Sequence, residues 1–301
     1  MKPEFLKKMG DNMKIGYRSG VEKPRASNED SIVALRSDAI YESQKAEAAL
    51  LVVADGVGGH NAGKVASHLA ATQVAEKMGR VIFEKDREDI SDEDVVPRFQ
   101  EVIKHVNRKI FDDARKNSQY KGMGTTVTAA LVWGSTVHIG HVGDSRAYII
   151  NKDKIRQITK DHSLVQEMVD RGEISKGEVR RHPDRHYITR AVGFSENIMV
   201  DTYTEYILGD DYLLLCSDGL TDVVTDGEIH SIFTEHDDPQ EICDTLVKKA
   251  HRSGAVTSVS VIAAQFDELP KRKNARYDRT EIKGHADEKT GIQKAFTWMK
   301  G

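Results

Sequence analysis

Two Asp-Gly pairs each follow an apolar run that is typical of a buried strand. Asp55 and Gly56 come directly after residues 50–54, and Asp218 comes shortly after residues 212–216. An Asp-Gly pair usually marks a hairpin turn, but a helical pattern follows each pair here, which predicts that both aspartates lie at strand-to-helix junctions. We therefore expect the two carboxylates to point into one shared cleft.

Other acidic residues extend this pattern. Glu29 and Asp30 lie in a predicted loop, and Asp144 lies in a short link that we predict to be a hairpin turn. Carboxylates without a matching pattern of cysteine and histidine ligands favour hard cations, and Mg²⁺ and Mn²⁺ prefer oxygen ligands. Gly56 would also let its own backbone carbonyl approach a cation. The sequence therefore predicts a Mg²⁺ or Mn²⁺ site built from carboxylates.

Periodicity predicts the elements that must position these groups. Apolar residues three or four apart predict helices over residues 65–78 and 95–110, and shorter patterns predict helices over 163–171 and 240–251. Runs of β-branched and aromatic residues predict six strands: 50–54, 126–133, 136–142, 147–150, 212–216 and 259–265.

The links between the central strands are short. Residues 134–135 join one pair of strands and residues 143–145 join the next, so both links favour antiparallel hairpins over crossovers. We therefore predict an α+β fold in which antiparallel sheets pack against helices.

Composition narrows the classes of function. Of the 301 residues, 39% are hydrophobic, which is enough to bury a sizeable core, and no apolar run approaches the roughly 20 residues of a membrane span. A formal net charge of −4 argues against nucleic acid or an anionic membrane as partner. The chain shows no secretory signal pattern and has two cysteines, so we predict a cytoplasmic protein with reduced thiols.

Several short motifs occur in a fixed order along the chain. They are residues 25–30, 55–60, 124–126, 143–148, 161–163, 182–193 and 217–222. Each motif is weak alone, but the ordered set resembles the protein phosphatase 2C family, bacterial type. The resemblance covers residues 15–266, which leaves an N-terminal extension (1–14) and a charged tail (267–301) that we expect to be flexible. It implies a sandwich of two antiparallel sheets flanked by helices, a four-layer αββα arrangement.

The resemblance also implies roles for the acidic residues. Asp55 would bridge two Mn²⁺ or Mg²⁺ ions, the carbonyl of Gly56 would bind the second ion, and Asp218 would bind the first. Asp30 or Glu29 would hold metal-bound water. The implied reaction is hydrolysis of phosphoserine and phosphothreonine in proteins by water that the two metals activate.

Two further residues have competing interpretations. Asp144 matches a position that, together with Asp218, forms a third and weaker metal site in the family, or it belongs to a plain turn. Arg25 resembles the arginine that binds the substrate phosphate, a role that suits its planar fork of donors, or it forms a surface salt bridge with Glu29. The implied partners are phosphoproteins and a cognate serine/threonine kinase system, and we expect a monomer.

The sequence departs from the family pattern near its last strand. Where the resemblance implies an aspartate followed by asparagine as the final metal ligand, the chain has Thr257 and Ser258. A neutral hydroxyl is a poorer ligand than a carboxylate for a hard dication, so weaker metal binding is expected. The alternative function is therefore a pseudophosphatase that binds phosphoproteins without cleaving them.

A pair of histidines in one of these motifs is spaced for metal binding on a helix. His182 and His186 are four residues apart, but Pro183 makes a continuous helix across them improbable. We therefore interpret both as ordinary loop residues.

Overall fold

Strand β3 explains why the sequence has continuous apolar runs. Leu50 and Val52 of this strand lie in a core shared with helices, whereas Leu51 and Val53 lie in a core between two sheets. Successive side chains of a strand point to opposite faces, so a strand that is covered on both faces must be apolar at every position. The computed structural model describes residues 13–21, 27–41, 44–58, 61–84 and 92–266.

The strands of this part of the chain form two antiparallel sheets. The first sheet has the order β1 (Met13–Gly20), β11 (Val259–Phe266), β10 (Tyr212–Cys216), β7 (Arg146–Ile150) and β8 (Ile155–Gln157). The second has the order β2 (Asp30–Tyr41), β3 (Gln44–Val57), β5 (Val127–Trp133), β6 (Thr136–Val142) and β9 (Asp201–Tyr206), with β4 (Gly124–Thr125) beside β3.

Helices cover the outer face of each sheet. The second sheet packs against α1 (Asn61–Glu84) and α2 (Asp92–Lys116). A short helix, α3 (Leu164–Asp170), follows β8 in the chain. The first sheet packs against α4 (Asp218–Thr221), α5 (Asp226–Glu235) and α6 (Pro239–Arg252). A third core lies between the sheets, so the predicted four-layer αββα sandwich is confirmed.

The local predictions are confirmed where a pattern was strong. All six predicted strands and all four predicted helices are present, and Gly172 ends the turn after α3 with φ of +71°. Strands β1 and β9 and helix α5 were not predicted. β1 and β9 have few buried side chains, so they lack the apolar run that marks the central strands.

One predicted hairpin is wrong. The link at 134–135 does join paired strands, with Trp133 opposite Thr136. The link at 143–145, however, leads from β6 in the second sheet to β7 in the first. A glycine with φ of +116°, Gly143, turns the chain there, and a Cβ at this position would lie 2.5 Å from the Thr126 side chain. Asp144 therefore lies where the chain crosses between the sheets.

No helix in the described ranges combines the length and the apolar character that crossing a membrane requires. The predicted tail (267–301) lies outside the described residues, as does almost all of the predicted extension (1–14). Cys216 and Cys243 are both buried and free, as predicted.

Candidate metal centre

The register of β2 and β3 brings the first two acidic residues together. Asp30 is the direct partner of Asp55 in this antiparallel pair. Cβ atoms of directly opposed residues lie about 4.5–5.5 Å apart and on the same face of a sheet. Asp30 is 8% exposed, so the pair sets two carboxylates side by side in a largely buried place.

The first sheet contributes Asp218 through the end of β10. Ser217 is the N-cap residue of α4, and its backbone N–H donates to the carbonyl of Ser260 in β11 over 3.0 Å. Its hydroxyl donates to Oδ2 of Asp30 over 2.8 Å. Ser217 thus links the ends of the two sheets, and this link places Asp218 beside Asp30 and Asp55.

The link that carries Asp144 is fixed by hydrogen bonds on both sides. The Gly143 N–H donates to Nδ1 of His162 over 3.0 Å. On the other side, the hydroxyls of Thr126 and Ser145 lie 2.7 Å apart. Thr126 Oγ1 also accepts from the N–H of Asp55 over 3.0 Å, so one threonine ties the Asp144 link to the end of β3.

The carboxylates raise one another's pKa. Burial, followed by the charges of Asp30 and Asp218, raises the pKa of Asp55 well above its ordinary value. Burial also raises the pKa of Asp30 to about 6, although the Ser217 hydroxyl opposes this shift. The pKa of Asp144 is raised by burial and by Asp218. Each shift reports a negative charge that lacks a compensating positive charge.

Two carboxylate oxygens of this cluster have no hydrogen-bond donor. Oδ1 of Asp30 and Oδ1 of Asp218 are buried, and no described residue donates to either of them. A buried charged oxygen without a partner costs free energy unless a cation compensates it. Because the donors are oxygen atoms, the residues present fit hard divalent cations such as Mg²⁺ and Mn²⁺.

Gly56 lies in a tight contact between β3, α1 and the loop before β2. A Cβ at position 56 would lie 2.4 Å from the carbonyl oxygen of Gly63 and 2.6 Å from that of Glu29. Any larger residue would therefore push these backbones apart. The backbone N–H of Glu29 donates to the hydroxyl of Ser258 over 3.0 Å, so this loop also contacts the start of β11.

The segment before β11 packs against the first turn of α4. A Cβ at Gly219 would lie 2.0 Å from the carbonyl oxygen of Ser258 and 2.9 Å from Oγ1 of Thr257. Thr257 is exposed and Ser258 is buried. Thr257 therefore stands next to the residue that follows Asp218, and it brings a hydroxyl to the edge of the acidic cluster.

A buried ion pair supports the acidic cluster from the side of the first sheet. Nε and Nη2 of Arg146 both donate to Asp161, with the shortest contact at 2.7 Å. Gln157 donates to the same carboxylate over 2.9 Å. Asp161 also raises the pKa of Asp144, so its charge acts on the cluster directly.

Two residues near the cluster were missed by the sequence analysis. Asp222 follows Asp218 by one helical turn, and burial together with the charge of Asp218 raises its pKa to about 6. His186 forms an ion-pair contact with Asp222, with Nδ1 3.2 Å from Oδ2. The spacing of four between two aspartates was the available sequence signal. The predicted Arg25 lies outside the described residues.

The fold and the site define an α+β sandwich with an acidic centre at one end that suits divalent cations. Residues 18–259 match the family model for protein phosphatase 2C. The chain is 34% identical over 263 residues to the serine/threonine phosphatase stp of Listeria innocua, across 87% of this chain and 100% of that protein. The chain therefore belongs to the protein phosphatase 2C family, and the predicted enzyme class is confirmed.

Solved structures agree with this assignment. A serine/threonine phosphatase from Staphylococcus aureus is 34% identical and superposes with a TM-score of 0.74, over 84% of this chain and 95% of that chain. The catalytic domain of the serine/threonine phosphatase PstP, solved in complex with two manganese ions, is 30% identical with a TM-score of 0.68, over 84% of this chain and 97% of that chain.

Proposed function

We propose that this chain hydrolyses phosphoserine and phosphothreonine in proteins and uses Mn²⁺ or Mg²⁺ as its cofactor. The observation that carries the proposal is the convergence of buried carboxylates from both sheets, two of which keep an oxygen without a donor. The residues proposed to hold two ions, with a third and weaker site, are Asp55, Gly56 through its carbonyl, Asp218, Asp30, Glu29 and Asp144.

The proposed roles follow from position. Asp55 and Asp218 come from different sheets, so together they clamp the cleft from both sides. Asp30 is oriented by the hydroxyl of Ser217 and keeps its second oxygen available as an acceptor. When bound, divalent cations there neutralise the charge of the phosphoryl group and make water more acidic. We assign binding of the substrate phosphate to Arg25 on the family resemblance.

The substrate class is supported by the relatives. The stp protein of Listeria innocua and the Staphylococcus aureus structure are both named serine/threonine phosphatases. We extend that class to this chain and propose that it works as a cytoplasmic monomer in signalling, where it reverses the action of a serine/threonine kinase. Phosphorylated proteins are its proposed partners.

A second function is favoured by Thr257. This residue places a neutral hydroxyl beside the helix turn that begins with Asp218, where the family resemblance implies a carboxylate. A centre with one anion fewer binds cations more weakly. The alternative is therefore a pseudophosphatase that recognises phosphoproteins and does not cleave them.

The test is metal-dependent turnover with matched variants. Hydrolysis of p-nitrophenyl phosphate and of a phosphothreonine peptide is measured across a Mn²⁺ titration. Asp55→Asn and Asp218→Asn should each abolish saturable turnover, whereas Asp153→Asn, an exposed aspartate between β7 and β8, should leave it unchanged. Tight phosphopeptide binding without turnover at any Mn²⁺ concentration would instead support the pseudophosphatase.

A further inference from the structure

A second group of metal-ligating side chains lies next to the proposed centre. His186, Asp218 and Asp222 each place one ligand atom so that the three atoms lie within 4.8 Å of one another. Asp218 also belongs to the proposed centre, so the inference rests on the proposed function for this one shared residue. His186 and Asp222 have no part in that centre.

The spacing of the ligand atoms suits one cation. Nδ1 of His186 lies 3.2 Å from Oδ2 of Asp222. In an octahedral shell with ligands about 2.1 Å from the metal, neighbouring ligand atoms lie about 3 Å apart. One oxygen of Asp218 is buried without a donor among the described residues, so a positive charge at this point would give it the partner that it lacks.

The fold holds His186 against α4 from both sides of its loop. Before the loop, Nη2 of Arg180 donates to the carbonyl oxygens of Thr221 and Val224, the first over 2.6 Å, which docks this segment on the end of α4. After the loop, Ile188 forms an isolated bridge with Ser163. The position of His186 near Asp222 is therefore built into the fold.

The group is open to solvent and mixed in chemistry. The side chain of His186 is 44% exposed and that of Asp222 is 25% exposed, so an ion can reach them from outside. Imidazole is a favoured ligand of zinc and other late first-row metals, whereas Mg²⁺ prefers oxygen ligands alone. One nitrogen among two carboxylates therefore shifts selectivity away from Mg²⁺.

The geometry points to an additional cation site, formed by His186, Asp218 and Asp222, that binds a late first-row divalent ion such as Zn²⁺ or Co²⁺ in preference to Mg²⁺. This site differs from the third site that the family resemblance implies for Asp144 with Asp218. Its two further ligands come from the loop after residues 179–181 and from the end of α4.

The test counts bound Co²⁺ and measures its affinity in the full chain. Equilibrium dialysis and the visible absorption of bound Co²⁺ are compared for the unaltered chain, His186→Asn and Asp222→Asn. Each variant should lose one class of Co²⁺ site or weaken it by at least about tenfold, while Mg²⁺ affinity changes much less. His182→Asn is the matched control, since it removes a histidine of the same loop that is not in the group.

The outcomes separate this site from a simple ion pair. Unchanged Co²⁺ stoichiometry, affinity and spectrum in His186→Asn would overturn the inference and leave only a His186–Asp222 ion pair. An equal loss in His182→Asn would also overturn it, because the effect would then belong to the loop as a whole. Turnover of p-nitrophenyl phosphate with Mn²⁺ tests the proposed function separately, since Co²⁺ binding is read without any substrate.

Discussion

Replacing Thr257 by aspartate should reverse the effect of metal on stability. Thr257 is exposed and its Oγ1 lies 2.9 Å from the Cβ position of Gly219, so the shape of a new carboxylate is tolerated without disturbing the core. Without metal, the new charge faces the carboxylates of Asp218 and Asp30. With metal, the same charge faces a dication.

The size of both effects follows from Coulomb's law. Two unit charges about 4 Å apart in a water-like environment interact by about 1 kcal/mol, and the exposure of Thr257 makes this environment appropriate. Thr257→Asp should therefore destabilise the metal-free protein by about 1 kcal/mol. A dication doubles the charge product, which gives about 2 kcal/mol of added attraction, or roughly thirtyfold tighter Mn²⁺ binding.

Two measurements check these values. Thermal unfolding in excess chelator should show a Tm about 2 °C below that of the unaltered chain, and unfolding in saturating Mn²⁺ should show a higher Tm. Isothermal titration with Mn²⁺ should give the gain in affinity. Turnover at limiting Mn²⁺ should rise in parallel, if metal occupancy limits the reaction.

The neutral variant Thr257→Asn is the control, since it has the same shape without the charge. It should change neither Tm nor affinity by a comparable amount. The reasoning would be refuted if Thr257→Asp left Mn²⁺ affinity unchanged while the protein stayed folded, because position 257 would then lie outside the reach of the bound cation.

Three other outcomes are expected. The folded pKa of Asp30, about 6, lies above its ordinary 3.8, so the metal-free protein should gain stability as pH falls from 7 through 6, and Mn²⁺ affinity should fall over the same range; chelator and Mn²⁺ unfolding series at several pH values check this. Asp161→Asn leaves the Arg146 guanidinium without its buried partner and should cost about 3 kcal/mol in a denaturant titration, whereas a loss below 1 kcal/mol would contradict the burial argument. Gly219→Ala places a Cβ 2.0 Å from the carbonyl of Ser258, so it should destabilise the fold by about 1–3 kcal/mol and weaken Mn²⁺ binding, as calorimetry can show.

The sequence predicted those parts of the fold in which one segment carries its own signal. β3 and β10 are apolar at successive positions because both of their faces are buried, and Asp55 and Asp218 stand out since each ends such a run. The pairing of Asp30 with Asp55 carries no local signal, because register depends on a partner strand elsewhere in the chain.

The error at Asp144 has the same origin. A glycine-containing link of three residues between two apolar strands reads as a hairpin unless the partners of each strand are known. In the structure, β6 pairs with β5 and β9, and β7 pairs with β10 and β8. The contact between His186 and Asp222 was likewise hidden, because hydrogen bonds of Arg180 to distant carbonyls create it.

The neighbours of β11 set a limit on when the protein can begin to work during its synthesis. β11 is the last described strand and lies between β1, the first, and β10. A nascent chain that has not yet emerged beyond residue 258 therefore has both β1 and β10 unpaired along one edge, and Ser260 is missing as the acceptor for Ser217. The acidic centre should thus assemble only after β11 has left the ribosome, so a truncated product would carry neither the complete first sheet nor a competent metal centre.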